Sequence, residues 1–332
     1  MVQERTTPAA GIRLAIVGCG QIGRLHAARI ADDGRARIVA LCDPLPAHAV
    51  RLQAEFAHDA RVFADVHEMT ANCPLDAAIV CTPTHQHFEQ TRLLADSGIP
   101  VLCEKPLADS RERIVQLVEM QRRGGTVLSV SYQRRYGALF RTLRREMQSG
   151  RHGPLRSLTV QVSEPWQQTI AGTWRDDPNF NPGGFISDAG SHKIDMVFYL
   201  TGLAPREVFA HSDFCGSRVD IVTTVSARLE NDVPLGMSFV GNSQGLCEDY
   251  HIHCERADLI YRDGKIAIVR NREVEPITDF EPETNPDAAF ADLLMGSSEN
   301  LAPAEAALPV WDFTQAVLQS ARTGQVIRLT DL

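Results

Sequence analysis

Residues 14–23 read LAIVGCGQIG, and this stretch restricts the fold more than any other. Leu14 to Val17 form an apolar run of the length of a short buried strand. Gly18, Gly20 and Gly23 follow with the spacing G-x-G-x-x-G, and residues 24–30 continue with helical character. A strand, a tight turn and a helix start in this order form the setting in which such glycines hold a dinucleotide. Gly18 permits the turn, Gly20 has no side chain to keep a pyrophosphate off the backbone, and Gly23 lets the helix pack closely on the strand. The phosphates would rest on unpaired N–H groups at the helix start, around Gln21 and Ile22, where the helix dipole favours negative charge. Gly-rich strand ends are common, so the rest of the chain has to support this reading.

The periodicity supports it. Strand-like runs at 13–17, 37–42, 61–63, 77–81, 100–103 and 126–131 alternate with helical patterns at 21–32, 45–57, 65–71, 85–97 and 109–123. That alternation implies parallel strands joined by crossover helices, hence a doubly wound sheet. From about residue 155 the pattern changes. Runs rich in β-branched residues follow one another at 155–163, 205–214, 219–230, 233–242, 248–254, 258–262 and 265–270. Asn231-Asp232 and Asp263-Gly264 mark hairpin turns among them. Helices are expected at 137–149, 190–201, 286–296 and 303–323, and a Pro-rich surface loop at 276–286. The fold class is therefore α/β: a doubly wound dinucleotide-binding domain over 12–131, then a second domain over 132–332 built on an antiparallel or mixed sheet.

Charge and composition exclude several classes. The formal net charge of −9 argues against nucleic acid as a partner, which would favour a basic patch. The basic cluster at Arg134, Arg135, Arg141, Arg144 and Arg145 is interrupted by Glu146 and reads as a solvated helix face. No run of 18 apolar residues exists, so no membrane span is expected, and residues 1–11 lack the apolar segment of a signal peptide. The eight cysteines contain no C-x-x-C, and Cys19, Cys42, Cys81 and Cys103 lie at strand ends. Reduced buried thiols in a cytoplasmic protein fit better than disulfides or zinc. His251, His253 and Cys254 look like a metal cluster, but in a strand 254 points away from the other two, so no metal is expected.

Several residues carry candidate chemistry. Asp43 closes the strand-like run IVALCD about twenty residues after Gly23, where an acid would bind the adenosine ribose hydroxyls and repel a 2′-phosphate, so NAD is expected over NADP. The competing reading is a loop aspartate before Pro44. Thr82-Pro83 follows the fourth run, at a strand end that lines the ligand crevice, and Thr82 would offer its hydroxyl and backbone. His85 and His87 begin the next helix, as cofactor contacts or as polar residues of a first turn. Lys105, in Glu104-Lys105-Pro106 after the fifth run, would sit near a nicotinamide and favour an alkoxide-like oxygen. The alternative is an exposed Glu-Lys pair, and Pro106 is a candidate for a cis bond. In residues 183–195, GGFISDAGSHKID, Asp188 and His192 are four apart and would share one face of a helix. A neutral histidine accepts a proton near neutral pH, and Asp188 would orient it or bind a hydroxyl. A plain N-cap for Asp188 and a core histidine for His192 remain open at this point, and Asp195 reads as structural.

These motifs, in this order, resemble the Gfo/Idh/MocA oxidoreductases, a family that includes inositol dehydrogenases and glucose–fructose oxidoreductases. The matching residues are GCGQIGRLHA at 18–27, Asp43, TPTHQH at 82–87, EKPLA at 104–108, RRY at 134–136, WR at 174–175, the 183–195 stretch, and SARTG at 320–324. The resemblance implies a catalytic set of Lys105, Asp188 and His192, with the histidine as acid/base and the lysine placing the substrate hydroxyl. It implies Glu104 beside the nicotinamide ribose, and Trp174 and Arg175 bordering the cofactor or the sugar. Cofactor contacts are thus expected from Gly18, Gly20, Gln21, Ile22, Gly23, Asp43, Thr82, Pro83, His87, Glu104, Lys105, Gln133, Trp174 and Arg175. Substrate contacts are expected from Lys105, Arg175, Asp188 and His192. The resemblance also implies an N-terminal Rossmann domain and a C-terminal α/β domain for substrate binding and oligomerisation, whose large open, mostly antiparallel sheet would join a homodimer or homotetramer. Pro182, Ser187 and Gln133 depart from the family pattern around the substrate pocket. The expected activity is NAD-linked oxidation of a secondary hydroxyl of a sugar, inositol or related polyol. The alternatives are a glycoside-cleaving enzyme that recycles a bound NAD and a non-catalytic dinucleotide-binding regulator.

Overall fold

The computed structural model describes residues 11–124 and 126–329, which divide into two units. The first begins with the expected alternation: β1 (Ile12–Val17), α1 (Gln21–Asp33), β2 (Ala36–Cys42), α2 (Pro46–Phe56), β3 (Arg61–Phe63), α3 (Val66–Asn72), β4 (Ala77–Val80), α4 (Thr84–Asp96), β5 (Val101–Cys103), α5 (Arg111–Arg122) and β6 (Leu128–Val130). Helix starts follow local chemistry. Asp65 accepts the Glu68 N–H ahead of α3, Ser110 accepts the Arg113 N–H ahead of α5, and Pro46 opens α2, where no N–H is needed. The strands form one sheet in the order β3-β2-β1-β4-β5-β6, every pair parallel. Strand order reverses between β1 and β4, and ligands bind such sheets at the carboxyl edge of that point.

In the second unit α6 (Ala138–Gln148), β7 (Leu155–Ser163), α7 (Trp166–Ile170), α8 (Gly184–Ser187) and α9 (Ser191–Thr201) precede a run of strands. These are β8 (Pro205–Asp213), β9 (Val222–Leu229), β10 (Pro234–Val240), β11 (Cys247–Cys254), β12 (Asp258–Arg262), β13 (Lys265–Arg270) and β14 (Glu273–Pro276). After α10 (Pro286–Leu294), α11 (Ala307–Thr323) and β15 (Ile327–Arg328) complete the described chain. Among the described residues the second sheet has nine strands, ordered β14-β13-β12-β11-β7-β10-β9-β8-β15. Only β7 and β10 pair in parallel. One face is apolar and covered, with Val160, Val162, Met237, Phe239, Tyr250 and Ile252 buried. The alternate positions Thr159, Gln161, Thr224 and Ser226 are exposed, as expected of an antiparallel sheet with one wet face. Phe140 stacks on Tyr261 at 4.8 Å, and Phe185 meets Phe239 edge-on.

Two features differ from the sequence reading. Residues 284–308, assigned there to the second domain, belong to the first unit. The reason is burial: Phe290 and Ala291 of α10 join the apolar cluster of Ile12, Leu14, Ile30 and Leu41, and the Val130 N–H donates to the Ala302 carbonyl. The first unit runs to Tyr136 rather than residue 131. Strand β14 lies between the last expected strand, at 265–270, and the expected loop at 276–286, where no element is expected. Its hairpin uses Asn271 and Arg272, both at positive φ, the same left-handed pair as Asn231-Asp232 and Asp263-Gly264, but an arginine in the second position does not announce such a turn. No helix among the described residues is long and apolar enough to cross a membrane, and the described residues hold eight free cysteines.

Phe239→Ala removes a fully buried ring. It should destabilise the second unit by roughly 3–5 kcal/mol in denaturant unfolding; a loss under about 1 kcal/mol would contradict this packing.

Candidate active site

The glycine turn has a separate physical requirement at each glycine. Gly18 has φ +91°, and a Cβ there would lie 2.8 Å from the backbone of Cys81 and Thr82. A Cβ on Gly23 would lie 2.1 Å from the Gly18 carbonyl oxygen. Packing therefore demands both. Nothing lies within 4 Å of a Cβ placed on Gly20, so no protein neighbour demands that glycine. Gly20 is the N-cap of α1, with no side-chain cap and no acid in the first turn. The N–H groups of Gln21, Ile22 and Gly23 thus start the helix without a side-chain acceptor, beside open space. This cradle fits a dinucleotide pyrophosphate. Asp43 lies at the adjoining edge, buried. Its Oδ2 accepts the Cys19 N–H and its Oδ1 the Leu45 N–H, each at 2.9 Å, so the carboxylate ties the turn to the end of β2.

The loops after β4 and β5 continue along the same edge. The Thr82 hydroxyl donates to Gln90 Oε1, so its proton is committed inside the protein. His87 does not reach outwards as a cofactor contact. It is buried, with Nε2 at 2.7 Å from the Thr82 carbonyl and Nδ1 at 2.8 Å from the Pro106 carbonyl. Burial lowers its pKa against those two carbonyls. The neutral ring donates to one of these carbonyls and lies against the other, so it sits between the two loops. The Lys105–Pro106 bond is cis. Lys105 is half-buried, and its N–H donates to Glu104 Oε2 at 3.2 Å. Glu104, only 8% exposed, turns its other oxygen to His26. Pro83 is exposed and Gln133 half-buried.

In the second unit, glycines again shape the candidate residues. A Cβ on Gly184, at φ +52°, would lie 2.2 Å from the Asp220 carbonyl oxygen, and one on Gly190 would lie 2.5 Å from that of Ile186. The expected helix at 190–201 forms as α9, but this close threading leaves Asp188 outside it. Helix α8 ends at Ser187, Asp188 has φ −86° and ψ −84°, and α9 begins at Ser191 behind Gly190. Asp188 and His192 therefore do not share one helix face. Nor is Asp188 the N-cap of α9, which is Gly190. Its Oδ2 accepts from Arg175 Nε at 2.8 Å, and Arg175 packs over the exposed ring of Trp174. His192, in the first turn of α9, is half-buried. The next residue, Lys193, is buried with Nζ at 2.9 Å from Glu164.

The comparisons with known proteins follow this division. Residues 12–132 match the model of an oxidoreductase family with an NAD-binding Rossmann fold, and residues 140–260 match the GFO/IDH/MocA C-terminal domain. A myo-inositol dehydrogenase of Streptomyces leeuwenhoekii is 34% identical over 262 residues, 76% of this chain and 75% of its own. The chain belongs to the Gfo/Idh/MocA oxidoreductase family. An inositol 2-dehydrogenase of Rhizobium meliloti is 28% identical over 199 residues, and the match spans 60% of this chain and 58% of that relative. The Bordetella pertussis WlbA dehydrogenase, solved in complex with NADH and UDP-GlcNAcA, shares the fold with a TM-score of 0.80 at 24% identity, covering 96% of this chain and 98% of its own.

Sequence reasoning passed over His26 and Asp287 beside this family's EKP turn. His26 sits on the buried face of α1 with Gly23, Ala27 and Ile30, and a histidine at such a position is the available signal. Asp287 has none, since 261 residues separate it from its partner. His251 and His253 contact Arg262 and Asp258 respectively, and among the described residues no group of three or more His, Cys, Asp and Glu side chains could hold a metal ion.

Gly20→Ala should leave stability within about 1 kcal/mol, because its Cβ enters open space, while weakening dinucleotide binding by about tenfold or more. Gly18→Ala should destabilise the first unit outright, since its φ is positive and its Cβ meets backbone. Calorimetric titration with thermal unfolding separates the two, and equal behaviour of both variants would contradict the assignment.

Proposed function

We propose that this chain is an NAD-linked dehydrogenase that oxidises a secondary hydroxyl of a sugar, inositol or related cyclic polyol, with Lys105, Asp188 and His192 serving the reaction. The observation that carries this reading is the order of elements along one sheet edge. The glycine turn follows β1, Thr82-Pro83 follows β4, and Lys105 follows β5, and those strands are successive neighbours. An amine therefore lies along the edge on which the glycine turn would lay a dinucleotide. The relatives named as inositol dehydrogenases support the substrate class.

A nicotinamide held along this edge would supply the acceptor for hydride from the carbinol carbon. The chain's own residues handle the proton and the charge. The neutral His192 ring takes the hydroxyl proton as general base, and the Lys105 ammonium stabilises the negative charge developing on that oxygen. Asp188, anchored by Arg175, is a fixed acceptor for a neighbouring hydroxyl. Asp43 selects the cofactor: a carboxylate already held by two backbone N–H groups has no room to move from a 2′-phosphate and repels it.

A panel of sugars and inositols screened for NAD reduction tests the reading; no reduction with any cyclic polyol would sink it. His192→Ala should lower kcat by roughly 10²-fold or more and leave NAD affinity within about threefold. Undiminished turnover would remove His192 from the acid/base role. Asp43→Ala should narrow the preference for NAD over NADP, and tighter NADP than NAD binding by the unmutated protein would contradict the cofactor assignment.

A further inference from the structure

His26 lies wholly inside the first unit, 0% exposed, yet its ring meets a carboxylate on each side. Nδ1 is 2.6 Å from Asp287 Oδ1, at the start of α10. Nε2 is 3.2 Å from Glu104 Oε1, just past β5. Ionised carboxylates only accept hydrogen bonds. A neutral ring would set one bare nitrogen lone pair against a carboxylate, so only the imidazolium satisfies both contacts. The other charged or titratable groups facing this cluster are Arg29 of α1, 3.6 Å from Asp287 Oδ2, Cys81 after β4, and Lys105 beyond Glu104. Two carboxylates thus oppose the His26 and Arg29 cations. Burial alone would lower the His26 pKa, but Cys81 and Asp287 reverse this and hold it well above the ordinary histidine value. Burial likewise opposes the charge on Glu104, and the His26 ring and Lys105 bring its carboxyl below the usual range.

The second Glu104 oxygen accepts the backbone N–H of Lys105. A chain of contacts therefore runs from Asp287 through His26 and Glu104 to the residue that carries the amine. We propose that His26, clamped by Asp287, is a positioning residue: as a buried imidazolium it fixes the Glu104 carboxylate, and through it the backbone from which Lys105 projects. Its consequence for turnover rests on the role given to Lys105 in the proposed reaction. Its consequence for the backbone does not.

The test uses the full chain. In ¹⁵N spectra at pH 8 both ring nitrogens of His26 should be protonated. Hydrogen exchange at the Lys105 amide should quicken by about tenfold or more in His26→Gln and in Asp287→Asn, the second variant keeping the shape of the side chain if the first folds poorly. Lys105→Ala should leave exchange at that amide unchanged. In kinetics, His26→Gln should lower kcat by about tenfold or more with the NAD KM within about threefold. The double variant H26Q/K105A should be no slower than K105A alone, because both remove one function. A neutral His26 at pH 8, unaltered exchange at Lys105 in both variants, or fully additive kinetic losses would each overturn the proposal. If charge and exchange follow expectation while the unmutated protein oxidises no polyol, the positioning of Lys105 stands and the proposed reaction falls.

Discussion

The first unit depends on the close approach of two stretches of backbone, the turn after β1 and the segment after β4. Gly18 lies so near Cys81 and Thr82 that a single added carbon would collide with them, and the Cys81 N–H donates to the Val17 carbonyl. This contact brings the first turn of α1 to the edge where strand order reverses. Gly23 repeats the demand one helical turn later, against the Gly18 carbonyl. With these two glycines consumed by packing, Gly20 alone is left facing open space, and the free N–H groups beside it acquire their purpose.

Much of this was legible in the residues. Alternating strand and helix periods announced a parallel sheet, because crossover connections force that spacing. The glycines, EKP and the 183–195 stretch identified the family. Local patterns fail where distant residues decide. Residues 284–308 read as part of the second domain because nothing near Phe290 says that its side chain completes a cluster around Ile12 and Leu14. Asp188 and His192 have the spacing of one helix face, but the backbone contacts of Gly184 and Gly190 leave Asp188 outside the helix that carries His192. The pairing of His26 with Asp287 is equally invisible to any window of sequence.

The two units treat their polar residues differently. In the first, His87 and the His26 cluster are committed to carbonyls and carboxylates of the protein, and they stiffen the loops that carry Thr82 and Lys105. In the second, a glycine-rich thread places Asp188 between two helices, with Arg175 as its partner. His192 sits on the helix that follows.

In the proposed reaction, hydride leaves a carbinol carbon of a cyclic polyol and departs with the cofactor. A substrate carrying deuterium on that carbon, identified from the panel, tests it most directly by mass spectrometry of the released dinucleotide. Each released reduced cofactor should carry one deuterium, in step with ketone formation. Deuterium returned to a sugar product, with no labelled cofactor released, would contradict it.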